Sequence, residues 1–179
     1  AEVVAGLDQV DGIAGFEITL SCPNTHAGGM EFGADPTSAA RVLELCRART
    51  RKPLFAKLSP ALPDIAGMAL TVRGAGADGV SVVNTMPGYL YGEAQLPRLG
   101  NGNGGVSGPA LLPVGVLVVR KIMDRSGGMP VIGMGGIRSA GDARQYLQAG
   151  AALVAVGTAA MCNPRIPERI VADLEAGDG

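Results

Sequence analysis

Ala75-Gly76-Ala77-Asp78-Gly79-Val80-Ser81-Val82-Val83-Asn84-Thr85 is echoed later in the chain by Ala149-Gly150-Ala151-Ala152-Leu153-Val154-Ala155-Val156-Gly157-Thr158. In both, Ala-Gly-Ala ends a helical stretch and turns directly into a short apolar run rich in β-branched residues, which stops on a polar group. Such a unit is half of a βα repeat, and strands buried on both faces in this way belong to parallel sheets. Three further runs fit the same description: Phe16–Ser21, Leu54–Leu58 and Pro130–Gly133, alongside Gly79–Val83 and Ala152–Val156 of the repeat. Helix-length segments lie between and after them at Pro36–Arg49, Ile65–Ala75, Leu112–Asp124, Ala140–Ala149 and Pro167–Ala176. Asp35 before Pro36 and Ser139 before Ala140 are helix-start signals. The alternation predicts an α/β fold with a parallel sheet.

Composition narrows the possibilities. The chain has 179 residues, 47% of them hydrophobic, enough for one sizeable core but not two, so residues 1–179 read as a single domain. A net charge of −1, three Phe, three Tyr and no Trp supply neither a basic face nor stacking platforms, which argues against nucleic-acid binding. The three cysteines, Cys22, Cys46 and Cys162, have no CxxC spacing, which disfavours a disulfide framework or a metal site and suits a reducing cytoplasm. No apolar run reaches the roughly 20 residues that span a bilayer. The chain opens on a helix-like segment, Ala1 to Asp11, with no strand before it.

Chemistry is expected where strands end, because open parallel sheets and barrels build their sites at the carboxyl ends of strands. In Phe16-Glu17-Ile18-Thr19-Leu20-Ser21-Cys22-Pro23-Asn24, Pro23 stops the strand and leaves a thiol, a hydroxyl and an amide at that edge. A small buried hydrophobe is the ordinary reading of Cys22 taken alone. Lys57 sits in the apolar strand Ala56-Lys57-Leu58, where a charge needs a ligand or a counter-charge; the competing reading is a lysine reaching for water. Asn84 and Thr85 end the next strand and offer donors and acceptors, or simply start a turn. His26, beside Gly28-Gly29, reads as a solvated loop residue, and Cys46 and Cys162 as structural.

Two glycine turns follow consecutive strands: Val131-Ile132-Gly133-Met134-Gly135-Gly136-Ile137, and Val156-Gly157-Thr158-Ala159-Ala160. Glycine lets backbone N–H groups approach an anion, and two such turns near the C-terminus match the phosphate site of (β/α)₈ barrels. Between the two halves, Asn84 to Gly108 is a Gly-, Asn- and Pro-rich connection of about 25 residues, far beyond an ordinary βα loop, and is expected to be a lid.

Taken together, Leu20-Ser21-Cys22-Pro23-Asn24, Ala56-Lys57-Leu58-Ser59-Pro60, Val83-Asn84-Thr85, Gly104-Gly105-Val106-Ser107-Gly108-Pro109, Gly133-Met134-Gly135-Gly136 and Gly157-Thr158 resemble the dihydroorotate dehydrogenases, from about Phe16 to Ile170. Gly28-Gly29-Met30-Glu31-Phe32-Gly33-Ala34-Asp35-Pro36 is similar to the class 1B catalytic subunit. The resemblance implies a (β/α)₈ TIM barrel holding FMN, oxidation of dihydroorotate to orotate in pyrimidine synthesis, and an iron–sulfur flavoprotein partner linked to NAD. It implies Cys22 as the base that removes the C5 proton, and Lys57 against the N1/O2 edge of the flavin. Asn24, Asn84 and Thr85 would hold the pyrimidine, with Val83 beside the flavin. Gly108, Gly135, Gly136, Gly157 and Thr158 would line the FMN, the last four around its phosphate. A thiol base titrating near ~8.5 would work best at mildly alkaline pH.

Thr19 stands at a position of the family that touches both substrate and flavin, but where the family usually has Asn. The family's earlier pyrimidine-binding elements, a lysine and an Asn-rich loop, have no counterpart here. Only five of eight βα units are read, so the chain is expected to be the C-terminal part of a longer barrel, and one that associates with itself through its open edges. Two alternatives stand beside the dehydrogenase: a non-catalytic FMN- or phosphate-binding remnant, and another FMN barrel oxidoreductase acting on a reduced pyrimidine.

Overall fold

The computed structural model describes residues 1–20 and 34–177. The chain begins with helix α1 (Glu2–Asp8) and strand β1 (Phe16–Thr19), and continues with α2 (Pro36–Arg47), β2 (Leu54–Lys57), α3 (Ile65–Gly74) and β3 (Gly79–Val82). Next come the short strands β4 (Met86–Tyr89) and β5 (Asn103–Val106), then α4 (Leu112–Ser126), β6 (Val131–Met134), α5 (Ala140–Ala149), β7 (Leu153–Ala155), α6 (Thr158–Cys162) and α7 (Ile166–Ala176). The five apolar runs form one parallel sheet in the order β1-β2-β3-β6-β7. Sequential strands are neighbours, as right-handed βα crossovers produce.

Register divides the sheet into two faces. Ile18 stands opposite Ala56, Ala56 opposite Val80, and Val80 opposite Val131. Ala56, Val80 and Val131 are completely buried, together with Leu43 of α2, Val72 of α3 and Val119 and Ile122 of α4. This is the core, and each of its large aliphatic side chains contributes about 1.5–3 kcal/mol by leaving water. The opposite face carries Thr19 opposite Lys57 and Lys57 opposite Ser81. Polar groups are thus gathered on the face away from the helices.

Capping follows the sequence signals. The Asp35 carboxylate accepts the Ser38 amide at 2.8 Å, and the Ser139 hydroxyl accepts the Asp142 amide at 3.2 Å. Asp64 starts α3 in the same way, accepting the Gly67 amide at 2.9 Å. The amino end of the sheet is tied by Asp78, which accepts from the Leu54 amide at 2.8 Å and from Arg47 at 2.9 Å. That role separates Asp78 from Ala152, its counterpart in the internal repeat. Helix α1 is held at this same end, where Lys52 donates to the Asp8 carbonyl at 2.8 Å and Thr50 bonds the Asp8 carboxylate.

The connection after Asn84, expected to be a lid, contains regular structure. Its ends pair as an antiparallel ribbon, Met86 opposite Val106 and Tyr89 opposite Asn103, and the Tyr89 and Tyr91 rings meet edge to face with centroids 5.1 Å apart. Glycine makes the ribbon possible: a Cβ on Gly105 would collide with the side chain of Thr85. The second departure is α6, where the expected glycine turn after β7 closes into a short helix beginning at Thr158.

Candidate functional site

The carboxyl ends of β2, β3, β6 and β7 surround a cleft of about 660 Å³, within the roughly 300–1,000 Å³ usual for small-molecule sites. Lys57, Val83, Asn84 and Thr85 line one side. Gly108, Gly135, Gly136, Gly157 and Thr158 line the other. Nine residues singled out from the sequence, far apart along the chain, therefore meet in one place. Thr19 does not line it; its side chain is exposed at the end of β1. Cys22 and Asn24 lie outside the described residues, as does His26.

Lys57 is held by Glu17, a neighbour that no local sequence signal marks. Its Nζ lies 3.3 Å from Glu17 Oε1, and Glu17 also lines the cleft. Glu17 and Thr19 are two residues apart in β1 and so share the face of Lys57. That period was visible in the sequence, but the register that brings Glu17 to Lys57 was not.

The turn after β3 is fixed by backbone bonds. The Asn84 amide donates to the Leu58 carbonyl at 2.9 Å, and the Val83 amide to the Met134 carbonyl at 3.0 Å. The Thr85 amide donates to the side-chain oxygen of Asn84 at 2.8 Å. Neighbouring strand ends are thereby locked together just beneath the cleft.

On the far side, Gly135 and Gly136 adopt φ of 114° and 76°, conformations open to glycine and costly for other residues. A Cβ on Gly136 would stand 2.7 Å from the Leu112 amide nitrogen and 3.0 Å from the Gly108 carbonyl oxygen, so the turn sits directly on the chain entering α4. Gly157 differs: no atom lies within 4 Å of where its Cβ would stand. Thr158 and Ser107 hydroxyls are 2.9 Å apart, joining the end of the ribbon to the start of α6. Ser107 belongs to the Gly104–Pro109 motif, and no local sequence signal marks it as a partner of Thr158. Cys162, expected to be structural, is exposed and lines the cleft.

Beneath the first glycine turn lies Tyr146 of α5, completely buried. Its hydroxyl donates toward the carbonyls of Met134 at 2.9 Å and Gly135 at 2.8 Å. Burial pushes the pKa of this hydroxyl well above that of ordinary tyrosine, so it stays protonated as a donor.

A sequence profile of dihydroorotate dehydrogenase matches residues 1–177. The chain belongs to the dihydroorotate dehydrogenase family. It is 46% identical over 176 residues to the protein of Trichlorobacter lovleyi named dihydroorotate dehydrogenase B (NAD(+)), catalytic subunit, covering 98% of this chain and 58% of that one. The Desulforudis audaxviator protein of the same name is also 46% identical over 176 residues, covering 98% and 57%. The chain thus spans somewhat more than half the length of these relatives. The fold is that of the Eimeria tenella dihydroorotate dehydrogenase in its complex with ferulenol: the TM-score is 0.77 at 23% identity, over 96% of this chain and 52% of that one. The ligand-free Eimeria tenella structure gives 0.76 at 22% identity, over 96% and 54%. The parallel sheet is accordingly of the TIM-barrel family. Among the described residues, no helix is long and apolar enough to cross a membrane.

Proposed function

We propose that this chain carries the FMN site and part of the substrate site of a dihydroorotate dehydrogenase that oxidises dihydroorotate to orotate. The observation that carries this is the convergence of Lys57, Asn84-Thr85 and both glycine turns on one cleft.

The residues suit a flavin nucleotide. Gly108 and Gly157 leave open space where a side chain would stand, Thr158 offers a hydroxyl, and Lys57 supplies a cation at the other side of the cleft. Gly135, Gly136, Gly157 and Thr158 would hold the phosphate, with Gly108 and Val83 along the flavin. Bound there, FMN supplies an acceptor for the hydride that leaves carbon 6 of the substrate. Lys57 would offer its positive charge to a flavin held in the cleft, and Glu17 keeps the ammonium in position. Asn84 and Thr85 present an amide and a hydroxyl to the pyrimidine. Cys22, brought in by the family resemblance, takes the carbon 5 proton as thiolate and releases it to water. Thr19 would contribute a hydroxyl from the end of β1, with Asn24 nearby.

An NAD-linked iron–sulfur flavoprotein is the partner proposed to reoxidise the flavin; the names of the relatives, B (NAD(+)) catalytic subunits, support it. Flavin titration tests the cofactor site. Gly157→Asp introduces a carboxylate into open space without disturbing packing, and FMN affinity is expected to fall at least tenfold through charge repulsion. An unchanged dissociation constant would remove the phosphate from this end of the cleft.

A further inference from the structure

We propose that Tyr146 is a positioning residue that aims the Gly136 amide at the anionic end of the cleft ligand. The inference rests on the flavin-nucleotide reading given above, and on the way α5 meets the end of β6.

In a trans peptide the carbonyl of one residue and the N–H of the next point in opposite directions within one plane. The bonds from Met134 to Gly135 and from Gly135 to Gly136 are both trans. The Met134 carbonyl also accepts the Val83 amide, and the Gly135 N–H opposite it points across to β7, where Met134 pairs with Ala155. The next peptide is set by Tyr146 alone: its hydroxyl holds the Gly135 carbonyl toward α5, so the Gly136 N–H is turned the opposite way. Both glycines line the cleft. A backbone amide held in one direction at a glycine turn is the kind of donor that holds a phosphate oxygen.

Two features show that the hydroxyl, rather than the ring alone, sets this arrangement. First, glycine takes many backbone conformations, so Gly135, at φ 114°, is free to rotate unless its neighbours are anchored. Its carbonyl is anchored by Tyr146, and the Met134 carbonyl accepts both from Tyr146 and from the Val83 amide. Second, the space around Tyr146 is cut to its outline. A Cβ on Gly115 of α4 would collide with the hydroxyl, and a Cβ on Gly133 would stand 2.9 Å from ring atom Cγ. Three elements, α4, β6 and α5, thus leave the hydroxyl only one place to be, against the two carbonyls.

A purely structural tyrosine would affect stability and every ligand alike. A positioning tyrosine affects the phosphate selectively, so the test compares FMN with riboflavin, which has the same ring and side chain but no phosphate. Dissociation constants are measured by flavin fluorescence quenching in the native polypeptide carrying these residues, for the parent, Tyr146→Phe, Gly115→Ala and Gly157→Asp. Tyr146→Phe keeps the ring and deletes the hydroxyl; Gly115→Ala keeps the hydroxyl and pushes it off the carbonyls from outside the cleft. Each is expected to raise the FMN-to-riboflavin ratio of dissociation constants about threefold to tenfold, the scale of one lost hydrogen bond, with riboflavin binding itself within twofold of the parent.

If Gly157→Asp raises the ratio but Tyr146→Phe and Gly115→Ala leave it at the parent value, the phosphate site stands and the role given to Tyr146 is overturned. If Gly157→Asp also leaves it unchanged, the flavin-phosphate reading fails and takes this inference with it. A Tyr146→Phe protein that loses FMN and riboflavin affinity equally overturns the inference too, because the effect is then general rather than directed at the phosphate.

Discussion

Lys57 Nζ stands 3.3 Å from Glu17 Oε1 across the β1–β2 pair, and both side chains line the same cleft. The two are about one-quarter and one-third exposed, so their pairing is partly screened and its worth lies in where it holds the ammonium. Removing the acid and removing the base should therefore act in opposite senses on a bound flavin. Glu17→Gln leaves Lys57 uncompensated and is expected to raise the midpoint potential of the flavin; Lys57→Met is expected to lower it. Potentiometric titration of both variants gives the answer, and shifts of the same sign would refute the pairing as a control on the cofactor.

The Ser107–Thr158 contact joins the ribbon to α6 beside the glycine turns. A neutral hydrogen bond of this kind is worth about 1 kcal/mol, or roughly fivefold in affinity. Ser107→Ala is expected to weaken FMN binding by about that factor, read from the same fluorescence titration. A larger loss would mean that Ser107 touches the ligand itself.

Gly133 packs its backbone against the ring of Tyr146, with Cγ 2.9 Å from a notional Cβ. Gly133→Ala overfills a buried site and is expected to cost about 1–3 kcal/mol in urea unfolding with an unchanged slope. A neutral result would show that α5 can move away from β6 without strain.

Acid should loosen the helix starts. Asp35 is held below its ordinary pKa of 3.8 first by its side-chain hydrogen bond with Ser38, and Asp64 by the Gly67 amide and then Arg125. Both pKa values are depressed on folding, so the stabilisation is present above about pH 4 and is lost as pH falls through the lower folded values. The melting temperature is expected to drop on going from pH 5 to about pH 3, and the drop should be smaller in Asp64→Ala. Equal slopes for parent and variant would show that other carboxylates dominate.

All five sheet strands were legible because each is a β-branched or apolar run between turn residues, and α5 was read at its observed limits, Ala140–Ala149. The ribbon was not, for a physical reason. Met86-Pro87-Gly88-Tyr89 and Asn103-Gly104-Gly105-Val106 are poor in β-formers, and their glycines serve close approach to Thr85 and neighbouring side chains instead. Lys57, Asn84 and the glycine turns could be picked out because strand ends and glycine pairs are local signals. Glu17 and Tyr146 could not, since one depends on strand register and the other on the packing of α5 beneath a turn that follows a different element.

The most direct measurement of the functional account is anaerobic mixing of dihydroorotate with the native protein in its FMN-bound form, following flavin absorbance. Rapid bleaching is expected in the parent, and Cys22→Ala should keep its flavin yet bleach at least a hundredfold more slowly, the scale of losing a general base. A parent protein that binds FMN but is not reduced by dihydroorotate would contradict the dehydrogenase reading, and undiminished bleaching in Cys22→Ala would remove the thiol from the reaction.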